Sequence, residues 1–163
     1  MRFNGRGALR VENPYRARTD LFGPRGETVL RSVVVGDEMR IPPGVPQDLL
    51  PPVSLMWGTI GVLRPAPGAE LELTRQTGDT LTLGYARGDE HWRYRLVAGR
   101  VRFVEWNGPG AGRRTIEVKG NAAFQLGSEA TYRDWSQFRE LKLTLEQVNE
   151  SSPFPPDTWD ISR

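Results

Sequence analysis

The chain has 163 residues, with 22 basic and 20 acidic side chains, one histidine and no cysteine, which excludes disulfides, thiolate metal sites and cysteine nucleophiles. That length suits a single domain burying roughly 70% of its unfolded surface. The net charge of +2 is spread as interleaved basic and acidic residues, which reads as a solvated sheet face rather than a nucleic-acid patch.

Residues 8–12 alternate, with Leu9 and Val11 on one face, until Asn13-Pro14 interrupts them. Tyr15, Ala17, Thr19 and Leu21 then alternate against Arg16, Arg18 and Asp20. Phe22-Gly23-Pro24-Arg25-Gly26 reads as a turn. Leu21 and Phe22, beside that turn, either protrude as a contact or tuck under the sheet. Residues 27–35 are β-branched with an ambiguous phase: either Leu30 and Val34 or Val29, Val33 and Val35 face the core, and both faces can be apolar. A short strand follows at 38–41.

Residues 42–52 are rich in proline, which cannot sit inside a sheet ladder. Beyond them, Val53, Met56, Trp57, Ile60 and Leu63 fall at helical spacing. A helix of two to three turns is expected there, weakened by Gly58 and Gly61 and ended by Pro65. Residues 70–74 restart the sheet.

Residues 80–119 hold the clearest signal. Leu81, Leu83 and Tyr85, then Trp92, Tyr94 and Leu96, then Val101 and Phe103, then Ile116 and Val118 alternate with polar neighbours. The gaps are short and glycine-rich, too short for a crossover helix, so the strands form an antiparallel meander. Another short strand is expected at 122–126, a helical turn or loop at 132–138, a strand at 140–148, and irregular chain in the proline-rich tail. About ten strands and one or two short helices predict a mainly β fold. It is read as one strongly curved antiparallel sheet or incomplete β-barrel, with the helix as a lid across its concave face.

No stretch approaches the roughly 18 apolar residues of a membrane-spanning helix, and no signal-peptide core follows Met1-Arg2-Phe3-Asn4. His91, at a hairpin, has no partner spacing for a metal site. There is no G-x-S-x-G elbow for a catalytic triad. Gly108-Pro109-Gly110-Ala111-Gly112-Arg113 lies between two strands and lacks the Lys-Ser/Thr of a phosphate loop. Neither a cofactor nor a metal is expected. The aromatic residues Trp57, Trp92, Tyr94 and Phe103 are either plain core or the lining of an apolar cavity between sheet and lid.

The segment order GALRVENPYRARTDLFGPRGETVLRSVVVGDEMRIPPG, LLPPVSLMWGTIGVLRP, then a meander ending in a Glu-Trp hairpin with glycines, resembles LolB-like outer-membrane lipoproteins of the LolA/LolB superfamily. PFPPDTW near the end adds to it. The resemblance implies one half-barrel domain over residues 1–163 without the family's N-terminal lipid anchor and helix. It implies an apolar interior that takes lipoprotein acyl chains at the periplasm or the periplasmic face of the outer membrane. The LFGPRG turn is similar in position to a family loop that meets the membrane, which makes Leu21 and Phe22 a membrane or partner contact.

The expectation is a non-enzymatic, monomeric carrier of lipid or lipoprotein acyl chains that binds no nucleic acid. Its cavity wall would be Met56, Trp57, Ile60, Leu83, Trp92, Tyr94 and Phe103. The alternative is a structural or interaction module with a filled core, and a hydrolase using His91 is a third reading.

Overall fold

The computed structural model describes residues 5–45, 50–110, 112–120 and 126–161. The fold is mainly β, with antiparallel pairing throughout and one short α-helix among the described residues. Among the described residues the strands form two sheets, and neither closes on itself. The chain divides into two compact units: Met1–Val53 with Glu150–Arg163, and Ser54–Asn149.

The first unit contains β1 (Arg6–Glu12), β2 (Arg16–Phe22), β3 (Thr28–Val35) and β4 (Glu38–Arg40), in the spatial order β1-β2-β3-β4. The phase of β3 is resolved by burial. Leu30 and Val34 are buried on one face, Val33 is buried on the other, and Val29 is exposed. The strand is therefore apolar on both sides, as its β-branched run allows. The tail is more ordered than expected. Pro156–Trp159 is a 3-10 turn, tied to β2 by Arg18 Nη1 donating to the Thr158 carbonyl at 2.8 Å. Phe154 meets Trp159 edge-on at 5.8 Å.

The second unit contains α1 (Val53–Thr59) from Ser54 onward and the sheet strands β5 (Glu70–Thr77), β6 (Thr80–Arg87), β7 (Glu90–Val97), β8 (Arg100–Gly108), β9 (Gly112–Lys119), β10 (Glu129–Asp134) and β11 (Arg139–Thr144). Their order, β11-β10-β9-β8-β7-β6-β5, is the sequential meander that short connections impose. The helix is shorter than its periodicity suggests because Gly61 ends it. Gly61 takes φ 76, its N–H donates to the Gly58 carbonyl, and the Val62 N–H donates to the Trp57 carbonyl at 2.9 Å. This is the Schellman closure, which favours glycine at the left-handed position.

Residues 129–134, where the sequence suggested a loop or helical turn from 132 onward, form the full strand β10 between β9 and β11. Leu145 lies beyond β11. The strand expected at 122–126 lies, apart from Leu126, outside the described residues.

Candidate functional site: the inner face of the seven-stranded sheet

Directly opposed residues in an antiparallel sheet share a face. Following register from β6 to β11, Leu83 faces Tyr94, Tyr94 faces Val104, Val104 faces Ile116, Ile116 faces Tyr132, and Tyr132 faces Leu141. This row crosses six strands without a polar interruption other than the two phenols. Tyr94, Val104 and Ile116 have no exposed surface. The helix lies on this row. Leu55 joins the same hydrophobic cluster. Gly58 sits so close that a Cβ there would stand 2.8 Å from Val104 Cγ2.

Tyr94 fastens the helical segment to the sheet. Its Oη lies 3.0 Å from the Arg64 carbonyl and 3.4 Å from that of Ser54, and its ring meets Tyr85 edge-on at 5.9 Å. Burial, with a smaller contribution from Tyr85, pushes its phenol well above the usual range.

A second row at one end of this face turns from apolar to charged. Tyr85 faces Trp92, Trp92 faces Trp106, Trp106 faces Arg114, and Arg114 faces Asp134. The Arg114 guanidinium lies 4.7 Å from the Trp106 ring centre and 2.8 Å from Asp134. Arg87 lies over Trp92 at 5.5 Å and pairs with Glu90 at 2.6 Å. The Trp106 indole donates to Glu90 at 3.2 Å. Stacked guanidiniums and carboxylates therefore seal this end of the core. The Trp92 indole N–H is buried and has no partner among the described residues.

Of the sequence-predicted wall, the structure brings together Leu83, Trp92 and Tyr94. Met56 and Ile60 are half-buried, and Trp57 is buried outside the cluster that Leu55 enters. Phe103 is on the other face. Between Arg95 and Leu96 the β7–β8 register shifts, so Leu96 faces Val101 while Arg95 faces Phe103. The extra residue in β8 reverses the inward set, making it Val101, Val104 and Trp106 rather than Val101 and Phe103. Phe103 instead carries the Arg95 guanidinium at 4.5 Å. Leu55, Val104, Trp106, Ile116 and Tyr132 complete the face. Of these, Ile116 stood out in the alternation of residues 80–119; an alternation count that included the bulge would also have found Val104 and Trp106.

Leu21 and Phe22 are both half-buried. Leu21 faces Leu30 and lies across Gly7, where a Cβ would stand 2.7 Å from its Cδ2. His91 is exposed, opposite Asn107, at a shallow depression of about 200 Å³ beside Gly84. Among the described residues no group of three metal-ligating side chains converges.

Comparison with known protein families, with curated proteins and with solved structures gives no match for this chain.

Proposed function

We propose that this protein binds acyl chains, of a lipoprotein or of another lipid, without catalysis, and holds or carries them in the bacterial cell envelope. In this reading the seven-stranded sheet is the wall of an incomplete barrel and α1 is its lid. The site of action is the periplasm or the periplasmic face of the outer membrane. The observation that carries the reading is the unbroken apolar and aromatic row from Leu83 to Leu141, covered by a helix of only seven residues.

Such a lid can be displaced. A seven-residue helix has little stability of its own, and α1 has no acidic residue in its first turn and no basic residue in its last. Exposing Leu55 and Trp57, both buried in α1, costs about 3–6 kcal/mol, and the Tyr94 hydrogen bond about 1 kcal/mol more. An acyl chain gains about 0.8 kcal/mol per buried methylene, so a chain of roughly a dozen methylenes exceeds that cost.

A second reading rests on one specific observation. Leu55, Tyr94, Val104 and Ile116 are fully enclosed, which favours a filled core and an envelope module that acts through its loops.

Native mass spectrometry of protein from a bacterial host, followed by lipid extraction, separates the two. A co-purified acyl lipid near unit stoichiometry is the result expected of a carrier. A bare mass that persists after incubation with fatty acid and lipopeptide would discard the carrier reading in favour of the filled core.

A further inference from the structure

β5 is the outermost strand of the seven-stranded sheet and pairs only with β6. All eight of its residues are exposed, so the strand is open on both faces and along its free edge. Every second N–H and C=O of such a strand points away from its neighbour and can receive another strand. Proline, lysine and short length commonly blunt such edges. β5 contains neither proline nor lysine, and it exposes Leu71 at 53% and Leu73 at 37%. Its one irregularity is a bulge at Glu72, between Leu71 opposite Tyr85 and Leu73 opposite Gly84. A bulge also blunts an edge, but this one stands near the start of the strand and leaves residues 73–77 in regular register.

The charges of β5 indicate what the edge receives. Elsewhere in this sheet charged side chains pair with their neighbours. At the opposite edge, Glu140 of β11 accepts from Arg133 at 2.7 Å and Lys142 donates to Glu129 at 2.9 Å. Between the edges, Glu105 is held by Arg113 and Arg93. Glu70, Glu72 and Arg75 of β5 instead form no ion pair with any described residue. Along the strand they read negative, negative, positive. That order is self-complementary, because an antiparallel copy sets the acidic start of one strand against the basic end of the other.

We propose that β5 pairs antiparallel with β5 of a second copy of this chain, joining two seven-stranded sheets across a two-fold axis at Thr74. Directly opposed residues share a face, so an axis normal to the sheet must pass beside a residue that faces its own copy. With Thr74 at the axis, Leu73 faces Arg75 of the second copy. Glu72 lines the same depression beside Gly84 as Leu73 does, so it lies against that Arg75, and the symmetry forms the ion pair twice. An axis at Glu72 or at Arg75 would oppose like charges. Pairing β5 with β11 of a second copy would leave one edge of each kind open and grow without closing. The proposal stands without acyl-chain binding, because no residue of β5 belongs to the inner-face cluster, and it replaces the monomer expected from sequence.

One strand pair buries less than the roughly 1,200 Å² of a standard interface, so the dimer is weak and depends on concentration. Sedimentation velocity over about two decades of concentration tests it, at low and at high salt. The expected result is a monomer–dimer equilibrium that salt weakens. Glu72→Arg and Arg75→Glu each bring like charges together across the axis, and each weakens dimerisation about tenfold or more. The double variant Glu72→Arg/Arg75→Glu restores it, which loss of an unrelated contact cannot do. Both positions are exposed, so all three variants melt as the unsubstituted protein does. A monomer at every concentration, a dimer indifferent to the single substitutions, or a double variant no better than the single ones would overturn the proposal. So would assemblies that grow beyond the dimer, since the edge would then not close on its own copy.

Discussion

Tyr94 places a polar atom at the most enclosed point of the inner face, and its cost and benefit can be separated by pH. Its hydroxyl donates to the Arg64 carbonyl, beyond the end of α1, and lies within reach of the Ser54 carbonyl in the first turn of that helix. Tyr94→Phe keeps the ring and removes that bond, which is worth about 1 kcal/mol at neutral pH. Burial raises the phenol above its ordinary value of 10.0 in the folded state. The folded chain thus keeps a proton that the unfolded chain loses, so stability is complete below about pH 10 and declines as pH rises beyond it. Urea melts of both proteins at pH 8 and pH 10.5 should show the deficit of Tyr94→Phe shrinking at the higher pH. An identical deficit at both would mean that Tyr94 does not remain protonated in the folded state.

At the scale of elements, α1 depends on a glycine that its own helical propensity would reject. Gly58→Ala gains about 1 kcal/mol of intrinsic helix stability. Its methyl, however, would stand 2.8 Å from Val104 Cγ2, and overpacking costs about 1–3 kcal/mol. The expected net effect is a loss of about 1 kcal/mol in denaturant melts, and a stabilised Gly58→Ala would show that α1 does not sit tightly on β8. The approximate position of α1 was legible, because Val53, Trp57 and Ile60 follow helical spacing. The residue that enters the core, Leu55, was not, since the spacing of one segment does not tell which side its partner lies on. The meander was legible for a better reason: short loops leave strands such as β6 and β7 no other neighbour, so Leu83 and Tyr94 meet. Phe103 was misplaced because an extra residue in β8 is invisible to alternation and appears only when β8 is set against β7. The separation into two sheets was not legible either, since it depends on which strands fail to pair across the proline-rich stretch between β4 and β5.

Across the whole molecule, the buried carboxylates share one arrangement. In the first unit Asp20 accepts from Arg10 at 2.8 Å, Arg18 at 3.0 Å and Arg31 at 2.8 Å. In the second, Asp134 accepts from Arg114 at 2.8 Å and from Ser136. For Asp20 burial works to raise the pKa, but hydrogen bonds and charge from Arg31 and Arg18 outweigh it and hold the group below its ordinary 3.8. For Asp134 burial likewise opposes, and Ser136, Arg114 and the Gln137 N–H prevail. In both cases the unfolded chain takes up the proton first as pH falls, so the stabilisation is complete above about pH 4 and is lost below it, through the lower folded-state values. Because each unit holds one such carboxylate, acid weakens both rather than one. Asp20→Asn leaves the arginines facing a neutral amide, a loss on the order of 3 kcal/mol at pH 7 for a buried pair broken on one side. The same variant has less left to lose in acid, so its denaturant midpoint should vary less between pH 5 and pH 2.5 than that of the unsubstituted protein. Equal acid sensitivity in the two proteins would show that the Asp20 cluster is not what ties the stability of the first unit to pH.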